Sequence, residues 1–163
     1  MAEILPDLLV PGLKLVICGS AAGTASARAG AYYAGPGNKF WRILAETGLT
    51  PRLLAPAEFR LLPSFGIGLT DLAKHVFGAD TVIRPSDDDP ARLHARIQAC
   101  RPGMLAFNGK RAAVAFLGGP VSYGAGPVLP DFPPIFVLPS TSGAASGHWD
   151  PNHWHRLANT LGR

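Results

Sequence analysis

Leu13-Lys-Leu-Val-Ile-Cys-Gly19 is an apolar run closed by glycine, and its reading decides the fold. So short and continuous a run predicts a strand buried on both faces, the kind found in parallel sheets. Beyond it, after a loop rich in Gly, Ala and Tyr, Asn38 is placed to cap a helix over about Lys39–Thr47. There Phe40, Trp41 and Leu44 recur at helical spacing and Gly48 ends the element. Pro56–Leu62 predicts a short helix, and Phe65–Thr70, weakened by two glycines, a strand that runs into Asp71. Asp87-Asp-Asp-Pro90 supplies a capping acid and a proline for a helix over Ala91–Cys100. Met104–Phe107 reads as a strand, Gly109–Leu117 as a helix, Ile135–Leu138 as a strand, and Pro151–Leu161 as a helix capped by Asp150. Gly118–Pro134, rich in Gly and Pro, reads as a surface loop. Strands alternating with helices predict one three-layer α/β/α domain over residues 1–163, with a central, mostly parallel sheet of about four strands.

Composition agrees with a compact domain. Of 163 residues, 47% are hydrophobic and 16% charged, which excludes a disordered chain. The apolar runs fall far short of a membrane span, so no membrane association is expected. The opening residues carry two acids and no basic region, so they do not read as a signal peptide, and a cytoplasmic location is expected. Cys18 and Cys100 are too few for a four-thiolate cluster and read as buried thiols. His153 and His155 lie two apart on one helix and point to different faces, so together with His148 they make a poor metal site. No metal is expected. The net charge of +4 suits a polyanionic partner without demanding one.

Each predicted strand runs into a polar or glycine-rich segment: Gly19-Ser-Ala-Ala-Gly23, Thr70-Asp71, Asn108-Gly-Lys110 and Pro139-Ser-Thr-Ser-Gly143. A parallel sheet brings these together at its carboxyl edge, where open α/β sheets bind ligands. Gly19–Gly23 is small enough to approach a phosphate, but it has neither the Walker lysine nor the dinucleotide glycine pattern. The hydroxyls at 140–142 lack an acid or histidine at nucleophile-elbow spacing and read better as hydrogen-bonding groups.

Tyr33-Ala-Gly-Pro-Gly-Asn-Lys-Phe-Trp41 adds something that periodicity does not. It resembles a signature of the thymine-DNA and mismatch-specific uracil-DNA glycosylases. The resemblance continues in order through Gly66-Ile-Gly-Leu-Thr-Asp71, Phe107-Asn-Gly-Lys110 and Leu138-Pro-Ser-Thr-Ser142, roughly residues 13 to 160. The last two segments also resemble the hypoxanthine-DNA glycosylases. The resemblance implies a monofunctional DNA glycosylase without metal or organic cofactor, acting on DNA that contains uracil or another deaminated base, as a monomer. Gly19, Ser20, Ala21, Ala22, Tyr33, Asp71 and Asn108 would line the pocket for a base flipped out of the duplex. Tyr33 would stack on that base; the alternative is a loop tyrosine packed on the core. At Asp71 relatives carry an amide or a lysine. An ionised carboxylate only accepts, so it would take the ring N–H of uracil, hypoxanthine or xanthine and meet a lone pair on cytosine or adenine. The alternative is a capping or structural aspartate.

Two departures from the family pattern matter. Relatives of the thymine/mismatch branch place a water-orienting asparagine in the first motif, where this chain has Ala21 and Ala22. The candidates for that role are Asn38, Ser140 and Asp71. Relatives also insert a bulky or basic residue into the gap left by the flipped base, where this chain has Ala144. His148 or Trp149 are the substitutes, although Trp149 is equally suited to anchoring the last helix. Lys39, Lys110, Arg111, Ser140, Thr141, Ser142, Gly143 and His148 are the expected DNA contacts. For the three cations, solvated surface charge is the alternative.

Overall fold

The computed structural model describes residues 2–162. Its strands are β1 (Leu15–Gly19), β2 (Ile67–Asp71), β3 (Leu105–Asn108), β4 (Gly124–Ala125) and β5 (Ile135–Leu138). Its α-helices are α1 (Thr24–Ala29), α2 (Phe40–Glu46), α3 (Pro90–Cys100), α4 (Lys110–Leu117) and α5 (Pro151–Thr160). The sheet order is β2-β1-β3-β5-β4, with the first four strands of that order parallel and β4 antiparallel to β5. The expected three-layer α/β/α architecture is present with five strands instead of about four. The extra one is two residues long and lies inside the segment expected to be loop. Gly124 and Ala125 have no hydrophobic alternation to announce a strand; they pair because Val137 and Phe136 on β5 offer a free edge.

Alternation along the strands divides the core. Leu15, Ile17, Ile67, Leu69, Ala106, Phe136 and Leu138 face one layer, which holds Phe40, Trp41 and Trp154 from α2 and α5. Val16, Cys18, Leu105, Phe107, Ile135 and Val137 face the other, against Leu93 and Ile97 of α3 and Ala112 and Ala113 of α4. Continuing the two-residue period to the strand ends puts Gly19, Asp71 and Asn108 on the first face, at the carboxyl edge. From β1 the chain goes out to β2, then returns across β1 to β3, and that reversal opens a crevice at the end of β1.

Helix starts follow the capping rules. The Asp89 side chain accepts from Arg92 N at 3.0 Å and that of Asp150 from Asn152 N at 3.0 Å, each with proline next in sequence. At α2 the N-cap is Lys39 and not the expected Asn38, whose Oδ1 accepts from Phe40 N at 3.0 Å from one residue earlier. Pro56–Phe65 is a 3₁₀ helix, longer than expected and interrupted by Pro63. Helix α1 and the third 3₁₀ helix, at Gly143–His148 after a short one at Pro85–Asp87, occupy stretches without helical periodicity.

The glycines that weaken the β2 pattern have a structural reason. Gly66 turns the chain at φ 80°, and a Cβ on Gly68 would sit 2.4 Å from the Leu8 carbonyl oxygen. Leu8 pairs with Leu69 through two backbone hydrogen bonds of 2.9 and 3.2 Å, so the N-terminal arm covers the outer edge of β2.

Candidate functional site

Gly19 and Asp71 are register partners on adjacent parallel strands, so their side-chain positions lie on one face, side by side. Because Gly19 has no side chain, the Asp71 carboxylate and the Tyr33 hydroxyl close over it. A Cβ there would stand 2.7 Å from Asp71 Oδ1 and 3.1 Å from Tyr33 Oη. Asp71 is 4% exposed and receives no hydrogen bond from the described residues. It therefore caps no helix. Burial pushes its pKa up to about 6; the Lys74 charge opposes that rise and the Asp7 charge adds to it.

Tyr33 follows the end of α1 and has a left-handed backbone, φ 54°, uncommon for an aromatic residue. Its neighbours hold it there: Trp41 Nε1 donates to Tyr32 O at 3.1 Å, and Ala34 N donates to Ser26 Oγ at 3.0 Å. The ring stacks on Phe40, centroids 4.0 Å apart and planes at 25°. The hydroxyl is buried and its proton has no acceptor, while the Asn108 amide lies close enough to act on its oxygen as a donor. Burial, followed by the Asp71 charge, raises its pKa well above the usual phenol value, while the adjacent Asn108 amide acts the other way. The group is a protonated donor at any physiological pH.

Asn108, at the end of β3, is committed to the neighbouring loop. Its Nδ2 donates to Thr141 Oγ1 and its Oδ1 accepts from Thr141 N, both at 3.0 Å. Ser140 Oγ accepts from Ser142 N at 3.1 Å. The backbone of the first motif is also engaged: the carbonyls of Gly19, Ser20 and Ala22 accept from Leu72, Ala73 and Gly78. Ala21 is half-buried and Ala22 buried. Of the three residues considered for holding water, Asn38 and Ser140 spend an oxygen on the fold, and Asp71 alone has an uncommitted one.

Two distant motifs pack against each other beside Tyr33 and Asn108. Lys39 N donates to Thr141 O at 2.9 Å, Lys39 Nζ donates to Ser146 Oγ at 2.8 Å, and Gly37 lies against Gly143. Lys39 Nζ also sits 5.6 Å from the centre of the Trp149 ring. Ser142 and Gly143 start the 3₁₀ turn that ends at the exposed His148, and Ala144 is exposed within it. Trp149 packs partly on the core beside Trp154. Lys110 is exposed at the start of α4, its Nζ 4.4 Å from the Tyr123 ring centre. Arg111 points elsewhere: it forms a two-pronged ion pair with Asp88, at 2.9 and 3.0 Å, that joins α4 to the segment before α3.

Sequence reasoning missed Lys74. It is 3% exposed, paired with Asp7 at 2.9 Å, and 3.3 Å from Tyr32 Oη. Its position three residues after Asp71 was the available signal. Asp7 also accepts from Thr70 Oγ1 at 2.6 Å and from Arg92. His153 contacts Tyr123 and Arg156, whereas His155 is 3.9 Å from Glu46, so the two diverge as expected. Among the described residues no group of three or more His, Cys, Asp or Glu side chains is placed to hold a metal.

The solution NMR structure of a candidate uracil DNA glycosylase from Methanosarcina acetivorans has the same fold. It superimposes with a TM-score of 0.66 over 98% of this chain and 97% of the other, at 21% identity. The family model described as the uracil DNA glycosylase superfamily matches residues 6–160, a span that contains Asp71, Tyr33 and both of the packed motifs. The chain therefore belongs to the uracil DNA glycosylase superfamily.

Proposed function

We propose that this protein is a monofunctional DNA glycosylase that flips a deaminated base, uracil first, out of DNA and hydrolyses its N-glycosidic bond. Hypoxanthine, xanthine and 5-substituted uracils form the wider substrate class. The observation that carries this reading is a buried Asp71 carboxylate without a donor, set over Gly19 at the carboxyl edge of the sheet in a chain of this superfamily. An unpaired buried acceptor costs free energy unless a ligand supplies the donor. The ring N–H that deaminated bases share supplies it, and the lone pair of cytosine or adenine does not.

The bond from the sugar C1′ to the base nitrogen breaks with its electron pair leaving on the base. Water then adds to the oxocarbenium-like carbon and loses a proton. Ala21 cannot orient that water, and the proton it loses neutralises the departing base. Lys39, Ser140, Thr141, Ser142, Gly143 and His148, with Lys110, would meet the DNA backbone. The small Ala144 would wedge the duplex poorly, favouring mispaired or single-stranded targets. The protein is taken to act as a monomer in the cytoplasm.

The test is base release from oligonucleotides carrying uracil, single-stranded and opposite guanine, read as strand scission after alkali. Scission with uracil and none with cytosine is expected. Tight retention of the DNA without scission at excess protein would favour a damage-binding protein instead. That second reading draws on Ala21 and on the engaged Asn38 and Ser140.

A further inference from the structure

Tyr33 occupies the position where the family resemblance implies a stacking residue, yet its ring already has a partner in Phe40 and its hydroxyl proton has no acceptor. We propose that Tyr33 recognises the base through that hydroxyl, donating a hydrogen bond to the carbonyl next to the ring N–H that Asp71 accepts. This rests on the proposed function and names a second residue that selects its substrate. Tyr33 Oη and Asp71 Oδ1 close over Gly19 together, 3.1 and 2.7 Å from where a Cβ would be, so the two groups lie side by side. One is a donor without an acceptor and the other an acceptor without a donor. A ligand that satisfies both must present an N–H beside a C=O.

Deamination of cytosine or adenine creates that pair. It replaces an exocyclic amino group by a carbonyl and places a hydrogen on the neighbouring ring nitrogen, so cytosine and adenine offer the reverse pattern. Two groups that each reject the wrong polarity discriminate more strongly than either alone. The donor also faces an oxygen that gains negative charge as the base departs, where it would offset the nearby Asp71 carboxylate. The left-handed backbone of Tyr33, held by the Trp41 and Ser26 contacts on either side, fits a residue kept for its tip more than for its packing.

Tyr33→Phe removes the hydroxyl and keeps the ring. A buried hydroxyl whose proton has no acceptor stabilises nothing, so the variant should melt at the same temperature or higher. Uracil excision under single turnover should fall about 10- to 100-fold. The decisive comparison uses DNA carrying 4-thiouracil and 2-thiouracil, in which sulfur, a weak acceptor, replaces one carbonyl oxygen. Wild-type protein should lose rate on one of them relative to uracil, and Tyr33→Phe should lose much less on that same base, which identifies the carbonyl contacted. Equal sulfur effects in both proteins on both bases would overturn the hydroxyl contact, as would full uracil activity in Tyr33→Phe. Failure of the wild-type protein to release any deaminated base would overturn the proposed function itself, a separate result.

Discussion

Asp71 is stable only at a cost. Its carboxyl has an ordinary pKa of 3.8 and is pushed to about 6 in the fold, so the folded protein binds a proton more tightly than the unfolded chain. The sign follows: the contribution of Asp71 is least unfavourable below about pH 4, worsens as pH rises through 6, and lowers stability by roughly 3 kcal/mol at neutral pH. Asp71→Asn should therefore raise the melting temperature at pH 7, with the gain vanishing below pH 4 in a thermal-melt series. Uracil excision by the wild type should run the other way, falling as pH drops below about 6. Asp71→Ala should lose about 100-fold or more in uracil excision, whereas Asp71→Asn, which can both accept and donate, should lose discrimination against cytosine. Gly19→Ala tests the cradle. Its methyl group would displace the carboxylate, so the protein should fold while excision falls about 100-fold. An unchanged rate would place Asp71 outside the site.

At the scale of elements, the N-terminal arm holds the strand that carries Asp71. Burial pushes Asp7 up, but Lys74 and the hydrogen bonds from Thr70, Lys74 and Arg92 more than offset it and leave its pKa below the ordinary value. That contribution is present above about pH 4 and lost as pH falls further. Asp7→Ala would leave the Lys74 ammonium buried without its partner and should cost about 3–5 kcal/mol in denaturant unfolding. The arm was not legible in the sequence as an element, because one isolated bridge at Leu8 has no periodicity. Capped helices were legible: Asp89-Pro90 and Asp150-Pro151 announce α3 and α5 by local chemistry alone.

On the whole molecule, positive charge is of two kinds. Lys110 is exposed at the carboxyl edge, whereas Arg111 is spent on Asp88, whose side chain is only 5% exposed. Lys110→Ala should weaken DNA binding regardless of sequence and reduce the slope of log affinity against log salt by about 1. Arg111→Ala should leave that slope unchanged and lower stability by roughly 3 kcal/mol, since it strands a buried carboxylate. Fluorescence anisotropy across a salt series, with a melting curve for each variant, separates the two.

What the sequence determined by itself was the layered fold, the strands from Leu15, Ile67, Leu105 and Ile135, and the convergence of four loop segments at one edge. Those follow from hydrophobic runs, caps and the geometry of parallel sheets, which are local or nearly so. The tertiary structure alone decided how the groups were spent. Asn108 looks as available in sequence as Asp71, but Thr141 lies within its reach only once β3 and β5 are neighbours. Likewise Asp71 and Tyr33 meet over Gly19 because β1 and β2 align Gly19 with Asp71 and a left-handed Tyr33 closes over both. Hydrogen-bond satisfaction depends on partners far apart in the chain, and no local pattern encodes which donor or acceptor folding leaves unpaired.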